Sequence, residues 1–420
     1  MIEWINTFLA QTVVASIFDG LYFVAPVALP LIFGVLFFNI WLEYLRAETI
    51  KKTKVVLLEI KLPKEQMKSP LAMELALNAL HQSGPQASTW YDLYWKGGLR
   101  PWFSLELVSL GGDIHFYIWT RVSNRSYVES QIYAQYPNVE ILEVEDYTNF
   151  IRHDKENLTV WGCEMTLVKE DAYPIKTYVD YGLDKNPKEE EKIDPMTPML
   201  EYLGALDPGE QVWYQIVVQL HKNRNKKPSS IWEHFFPQET KWQKDAEKVI
   251  NEILKRDPKT KTSSEKVEDK PQITIISDGE KEVAKAIEKS ITKNGFDVGI
   301  RAMYFAEEGR FNGMNIGGMI GSWKQYGSND LNGFKPVNGL IPFSYPWQDF
   351  RNIRKNRVKV ALFDAYRRRS FFHAPYKQET FVLNTEELAT IYHFPGSVAQ
   401  TPTFKRIEAK KIQAPSNIPI

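Results

Sequence analysis

Residues 102–122 read WFSLELVSLGGDIHFYIWTRV. Two β-rich runs, Trp102–Leu110 and Ile114–Val122, flank Gly111-Gly112. A tight hairpin needs positive φ at both of its central residues, and glycine adopts that conformation without steric cost. Upstream, VVLLEIKLP (Val55–Pro63) reads as a buried strand ending at proline. Ser69 then caps a helix, SPLAMELALNALHQ, with Pro70 at its first position. Downstream come a second helix, RSYVESQIYAQYP, and a strand, VEILEVEDY. The order β-α-β-β-α-β predicts a ferredoxin-like unit over residues 48–152.

From residue 153 the pattern restarts. NLTVWGCEMTLV is strand-like, TPMLEYLGAL is a helix after Pro195, and QVWYQIVVQL follows a Pro208-Gly209 turn. Residues 222–271 read as a flexible insert holding one helix, ETKWQKDAEKVINEILKR. QITIIS, the helix KEVAKAIEKSITKN with Gly295 as its C-cap, and the strand FDVGIRAMYFA then close a second α/β domain of related topology, 153–308. Strand pairing between Val160–Leu167 and residues 297–305 is the test of that duplication. Residues 309–420 read as a helical and extended C-terminal region, so the fold class is α+β.

Ahead of these units, Gly20–Leu42 runs without a charge, GLYFVAPVALPLIFGVLFFNIWL. A bilayer core needs about 20 apolar residues, so residues 1–47 read as a membrane anchor with its helix at 20–42. Pro26 and Pro30 leave open a break into a hairpin. The apolar positions upstream, Trp4 to Phe18, fit either an interfacial helix or an extension of the span. Only Glu3 and Asp19 precede the span, whereas Arg46, Lys51, Lys52 and Lys54 follow it. The positive-inside rule therefore places the C-terminal bulk in the cytoplasm, as a single-pass membrane protein. A cleaved signal peptide fits poorly, because the basic n-region is missing and the apolar run is too long.

The charges balance, 52 basic against 52 acidic, so an anionic partner must be argued from local clusters. Cys163 is the only cysteine, which rules out an internal disulfide framework. The seven histidines show no zinc-ligand spacing, and no cofactor or metal is expected. Glycines 313, 317, 318 and 321 lack the Lys and Ser or Thr of a phosphate loop, so no nucleotide hydrolysis is expected. No nucleophile–base arrangement stands out, and the chain reads as a non-enzyme.

One cluster rises above this background. Residues 351–369 hold Arg351, Arg354, Lys355, Arg357, Lys359, Arg367, Arg368 and Arg369 against Asp364 alone. Such density suits phosphates, of lipid headgroups or of nucleic acid, although in a neutral protein a solvated basic face that pairs with acidic surface elsewhere is the commoner case.

Four phrases carry a family resemblance: LLEIKLPKE…SPLAMELALNALH (57–81), PWFSLELVSLGGDIHFYIWTR (101–121), ESQIYAQYPNVEILEVEDYT (129–148) and FVLNTEELATIYHFPGSVAQTP (381–402). They resemble the membrane-anchored, non-catalytic N-terminal region of conjugation-type, type IV secretion-like ATPases of uncultured small-genome bacteria. The resemblance covers most of residues 55–415 and implies a stand-alone paralogue without the ATPase domain. It implies a structural or adaptor subunit of a secretion or conjugative machine, with a separate cytoplasmic ATPase or other complex subunits, and further copies of the chain, as partners beside the lipid bilayer that the apolar run already calls for. The alternative is a membrane-associated nucleic-acid-binding module using residues 351–369.

Overall fold

The structure, a computed structural model, describes residues 2–63, 68–82, 90–151, 158–184, 193–221, 224–225, 239–240, 242–254, 277–339 and 346–396. Two bodies emerge from its contacts, residues 1–54 with 85–100 and residues 55–84 with 101–420. In the first body, helix α1 (Ile2–Lys52) runs unbroken through Pro26 and Pro30. There is no hairpin, and the upstream apolar segment extends the span rather than forming a separate helix. The part from Val24 to Lys52 is long and apolar enough to cross a membrane. A short helix, α3 (Trp90–Tyr94), lies beside it, with Tyr94 stacked on Phe38 at 5.9 Å. Gly97 follows at φ 62°, so close that a Cβ there would sit 2.8 Å from the Leu45 backbone.

The second body is built on a nine-stranded antiparallel sheet. Its first half contains β1 (Val55–Lys61), α2 (Pro70–Gln82), β2 (Trp102–Leu110), β3 (Asp113–Arg121), α4 (Arg125–Gln135) and β4 (Glu140–Val144). Gly111 and Gly112 take φ of 63° and 88°, as the hairpin between β2 and β3 requires. The strands lie in the order β4-β1-β3-β2, compatible with the ferredoxin-like reading.

The second half contains β5 (Leu158–Leu167), α5 (Thr197–Gly204), β6 (Glu210–Leu220), β9 (Gly295–Glu307), α8 (Gly313–Gly321) and β10 (Phe334–Val337). Their order, β10-β5-β9-β6, repeats that of the first half. Val160 opposes Phe305 and Met165 opposes Ile300, so the pairing that tests the duplication is present. β2 and β6 join the halves edge to edge, from Trp102 opposite Gln219 to Leu110 opposite Gln211.

Several expectations change here. The boundaries at 152 and 308 do not part separate bodies, because α8 and β10 complete the second half from beyond residue 308. β11 (Phe381–Asn384), still later in the chain, pairs with β9. Between β6 and β9 the described residues hold regular structure. The two-stranded pair of β7 (Arg224–Asn225) with β8 (Glu239–Thr240) is unexpected, whereas α6 (Trp242–Ile253) and α7 (Asp278–Ile291) are the two helices the sequence predicts there. Ala246, Val249 and Ile250 of α6 pack with Ile287 of α7 and with Ala172 in a small core apart from the main one. Gly295 opens β9; α7 ends earlier, at Thr292 in right-handed helical conformation. QITIIS apart from Ser277, and the chain beyond residue 396, lie outside the described residues.

Directly opposed residues of antiparallel strands share a face of the sheet. One face carries Leu58, Ile118, Leu105, Ile216, Ile300 and Met165 in a single lateral row. These apolar side chains form one core with residues of α2, α4, α5, α8 and α10 (Thr385–Ile391). The opposite face is covered by α9 (Ile353–Arg367) and the turn that follows it.

Candidate functional site: a buried ionic row beneath a basic surface

On that opposite face the central row is polar. Glu59, Tyr117, Glu106, Gln215, Arg301 and Glu164 lie side by side across β1, β3, β2, β6, β9 and β5. Four of them, Glu106, Gln215, Arg301 and Glu164, are almost completely buried. Burying charge is costly unless it is paired and hydrogen-bonded. The sequence around α9 supplies the partners.

Arg369, at φ 48°, turns back under the end of α9 into the sheet. Its Nε and Nη2 donate to Glu106 Oε1 and Oε2 at 2.9 and 3.0 Å, the two-pronged geometry that favours arginine over lysine. It also pairs with Asp146, through Nη1 and, at 3.1 Å, Nη2. Ser104, Gln215 and Tyr147 donate to the remaining positions on Glu106 at 2.8, 3.0 and 2.7 Å. Burial works against the Arg369 charge, but Glu106 more than offsets it and holds the guanidinium pKa well above its ordinary value. Burial likewise pushes the Asp146 carboxyl up, and the attraction of Arg369 reverses this to leave it below the usual carboxylate range.

A second pair lies two strands away. Arg301 Nε donates to Glu164 Oε1 at 3.0 Å, and Asn338 donates to Glu164 Oε2 at 2.8 Å. Arg301 Nη1 donates to the Ser370 carbonyl at 2.7 Å, and the guanidinium lies 4.5 Å from the Phe371 ring centre. The two arginines therefore tie residues 365–371 to the sheet from both sides, one reaching down and the other up. Glycines make the close approach feasible. A Cβ on Gly299 would sit 2.4 Å from the Phe371 ring, and one on Gly162 would sit 2.8 Å from Leu362 Cδ2.

The basic cluster is thus divided. Arg369 is buried and leaves the candidate contact surface, a correction that follows from its two carboxylate partners. Arg368 remains exposed but pairs with Asp364 at 2.8 Å, and Arg367 reaches Asn149 at 3.3 Å. Arg351, Arg354 and Arg357 are exposed, whereas Lys355 and Lys359 are half-buried. Burial, with Lys355 nearby, lowers the Lys359 pKa. Asp349 accepts from the backbone N–H groups of Arg354 and Lys355, both at 2.8 Å, and so caps the start of α9. Among the residues that follow the apolar run, Lys51, Lys52 and Lys54 are exposed and Arg46 is half-buried; Lys52 pairs with Glu48.

A second polar group lines a cavity of about 330 Å³ beside α7, with Thr177, Lys289 and Glu386 in its wall. Lys293 bridges Glu74 and Glu386 at 2.6 Å each. Glu387 next door accepts from the backbone N–H groups of Ile175 and Asn384, both at 2.9 Å. Burial pushes its pKa up to about 8. An unfolded chain releases a glutamate proton near ~4.3. This group therefore supports the folded state most below that pH, and the support fades as pH rises through 8. Glu387→Gln keeps an acceptor in place, so the melting temperature of the variant should fall less than wild type over that window. Parallel melts with equal slopes would contradict this.

Burial pushes the Cys163 thiol up to about 12, which leaves it a protonated core side chain. Among the described residues no group of three or more His, Cys, Asp or Glu is arranged to hold a metal ion. The buried row itself was open to sequence reasoning. Glu106, Gln215, Arg301 and Glu164 each stand between two apolar neighbours near the middle of a strand.

The architecture defines an α+β protein with one N-terminal helix able to span a membrane. The family model for a domain of unknown function, DUF8128, matches residues 43–406, and the chain belongs to that family. The match begins where the apolar run ends and takes in both halves of the sheet. No curated protein matches the chain.

Proposed function

We propose that this protein is a membrane-tethered structural subunit: α1 holds it in the bilayer and the sheet-based body presents itself to a partner on the cytoplasmic side. The observation that carries the reading is the exposure of large apolar side chains along α1. Tyr22, Val27, Leu31, Phe33, Phe37 and Ile40 are all at least 60% exposed among the described residues. So large an apolar surface needs an apolar environment. The basic residues that follow it support the cytoplasmic orientation.

The resemblance of four sequence phrases supports a place in a type IV secretion-like or conjugative machine, beside a separate ATPase. On this view the body acts by packing, and the buried ion pairs keep its surface in one shape. Affinity purification of the tagged full chain from native membranes, after crosslinking in intact cells, is expected to recover such an ATPase. Recovery of unrelated partners alone would defeat that assignment.

The nucleic-acid reading rests on the cations of residues 351–369. Arg369 is spent on Glu106 and Asp146, and Arg368 on Asp364, which weakens it. Filter binding of detergent-solubilised chain should show no salt-dependent retention of duplex DNA. Retention that falls steeply with salt would favour the alternative.

A further inference from the structure

We infer that residues 347–360 form a second, peripheral membrane contact selective for anionic lipid, an inference that rests on the tethered reading above. Trp347, Phe350 and Ile353 are 76%, 71% and 55% exposed, an unusual density of large apolar groups on one short stretch. Around them stand Arg351, Arg354, Lys355, Arg357 and Lys359. The only acid among these residues, Asp349, is occupied by the backbone at the start of α9.

The local backbone sets up the mixture. Arg351 sits at φ 55°, and its guanidinium lies 5.2 Å from the centre of the Phe350 ring. Beyond it, Ile353, Arg357 and Val360 recur at i, i+4 and i+7, which places them on one side of the helix. The helix becomes buried only from Leu362 onward, where it meets the sheet.

Tryptophan, phenylalanine and aliphatic groups interleaved with arginine suit the boundary between headgroups and acyl chains. There the apolar groups leave water while the cations meet lipid phosphate. Nucleic acid would use the cations and the rings, but it offers nothing for Ile353, Val358 or Val360. A bilayer is also the partner that a chain bearing α1 already has at hand, so even a weak contact is favoured by high effective concentration.

The test uses the full chain in lipid nanodiscs, with Gln348→Cys carrying an environment-sensitive fluorophore. Cys163 is buried, so the label goes to the new thiol. Emission should shift to the blue and rise in discs containing phosphatidylglycerol, relative to discs of phosphatidylcholine alone. High salt or the triple change Arg351→Glu, Arg354→Glu, Arg357→Glu should abolish the shift, while a label at Glu282→Cys on α7 should report no change. Equal emission in the two disc types, with the chain inserted in both, overturns the lipid contact alone. A response to duplex DNA in neutral discs, with none to phosphatidylglycerol, assigns the surface to nucleic acid and overturns it too. A chain that stays outside the discs overturns the tethered reading, and this inference with it.

Discussion

Replacing Arg369 with methionine should destabilise the folded body by about 3–5 kcal/mol, the range for removing one partner of a buried ion pair. The loss comes less from the missing attraction than from what stays behind. Glu106 is almost wholly inaccessible to water, and Asp146 would lose its cation as well. Arg368→Ala, one residue away, removes only a surface pair with Asp364 and should cost under about 1 kcal/mol. Urea unfolding of the detergent-solubilised chain, followed by tryptophan emission, separates the two. Adding Glu106→Gln and Asp146→Asn to the Arg369→Met chain should recover part of the loss. Equal, small costs for Arg368 and Arg369 would sink the account of the row.

The same pair carries an acid limb. Asp146 titrates below its unfolded value, so its support for the fold is complete above the ordinary aspartate pKa and disappears as pH falls through the depressed one. Arg369→Met should remove that limb.

The second large effect is steric. Gly299→Ala puts a methyl group 2.4–2.5 Å from three carbons of the buried Phe371 ring. A ring held under Arg301 and against the sheet has nowhere to shift, and overpacking of this kind costs about 1–3 kcal/mol. Gly162→Ala meets Met303 Sδ and Leu362 Cδ2, the ends of flexible side chains, and should cost less. In a Phe371→Ala background the Gly299→Ala change should become nearly neutral, because its clash is gone. Thermal melts of the four chains close this cycle. A Gly299→Ala cost that persists without the ring would show that the turn after α9 is not seated as described.

What could be read in the sequence follows from how local the cause is. The β2–β3 hairpin is written in Gly111-Gly112 and alternating strands, and both glycines hold the backbone they imply. The continuity of α1 through two prolines was not readable, because lipid-facing and paired hairpin segments share a composition. β10 was hidden for another reason: FKPV is four residues with a proline inside, tolerated because, among the described residues, the strand lies at the sheet edge and pairs only with β5. The basic cluster failed most instructively. Arg367, Arg368 and Arg369 are adjacent in the chain, yet the first two face water and the third lies in the core. Its partners, Glu106 and Asp146, are more than 200 residues distant along the sequence, so charge density alone carried no sign of the division.

The tether is tested most directly by washing membranes from cells that produce the full chain with alkaline carbonate. The account predicts that the protein stays in the pellet with integral membrane proteins, while a chain starting at residue 53 is released to the supernatant. Release of the full chain would contradict it.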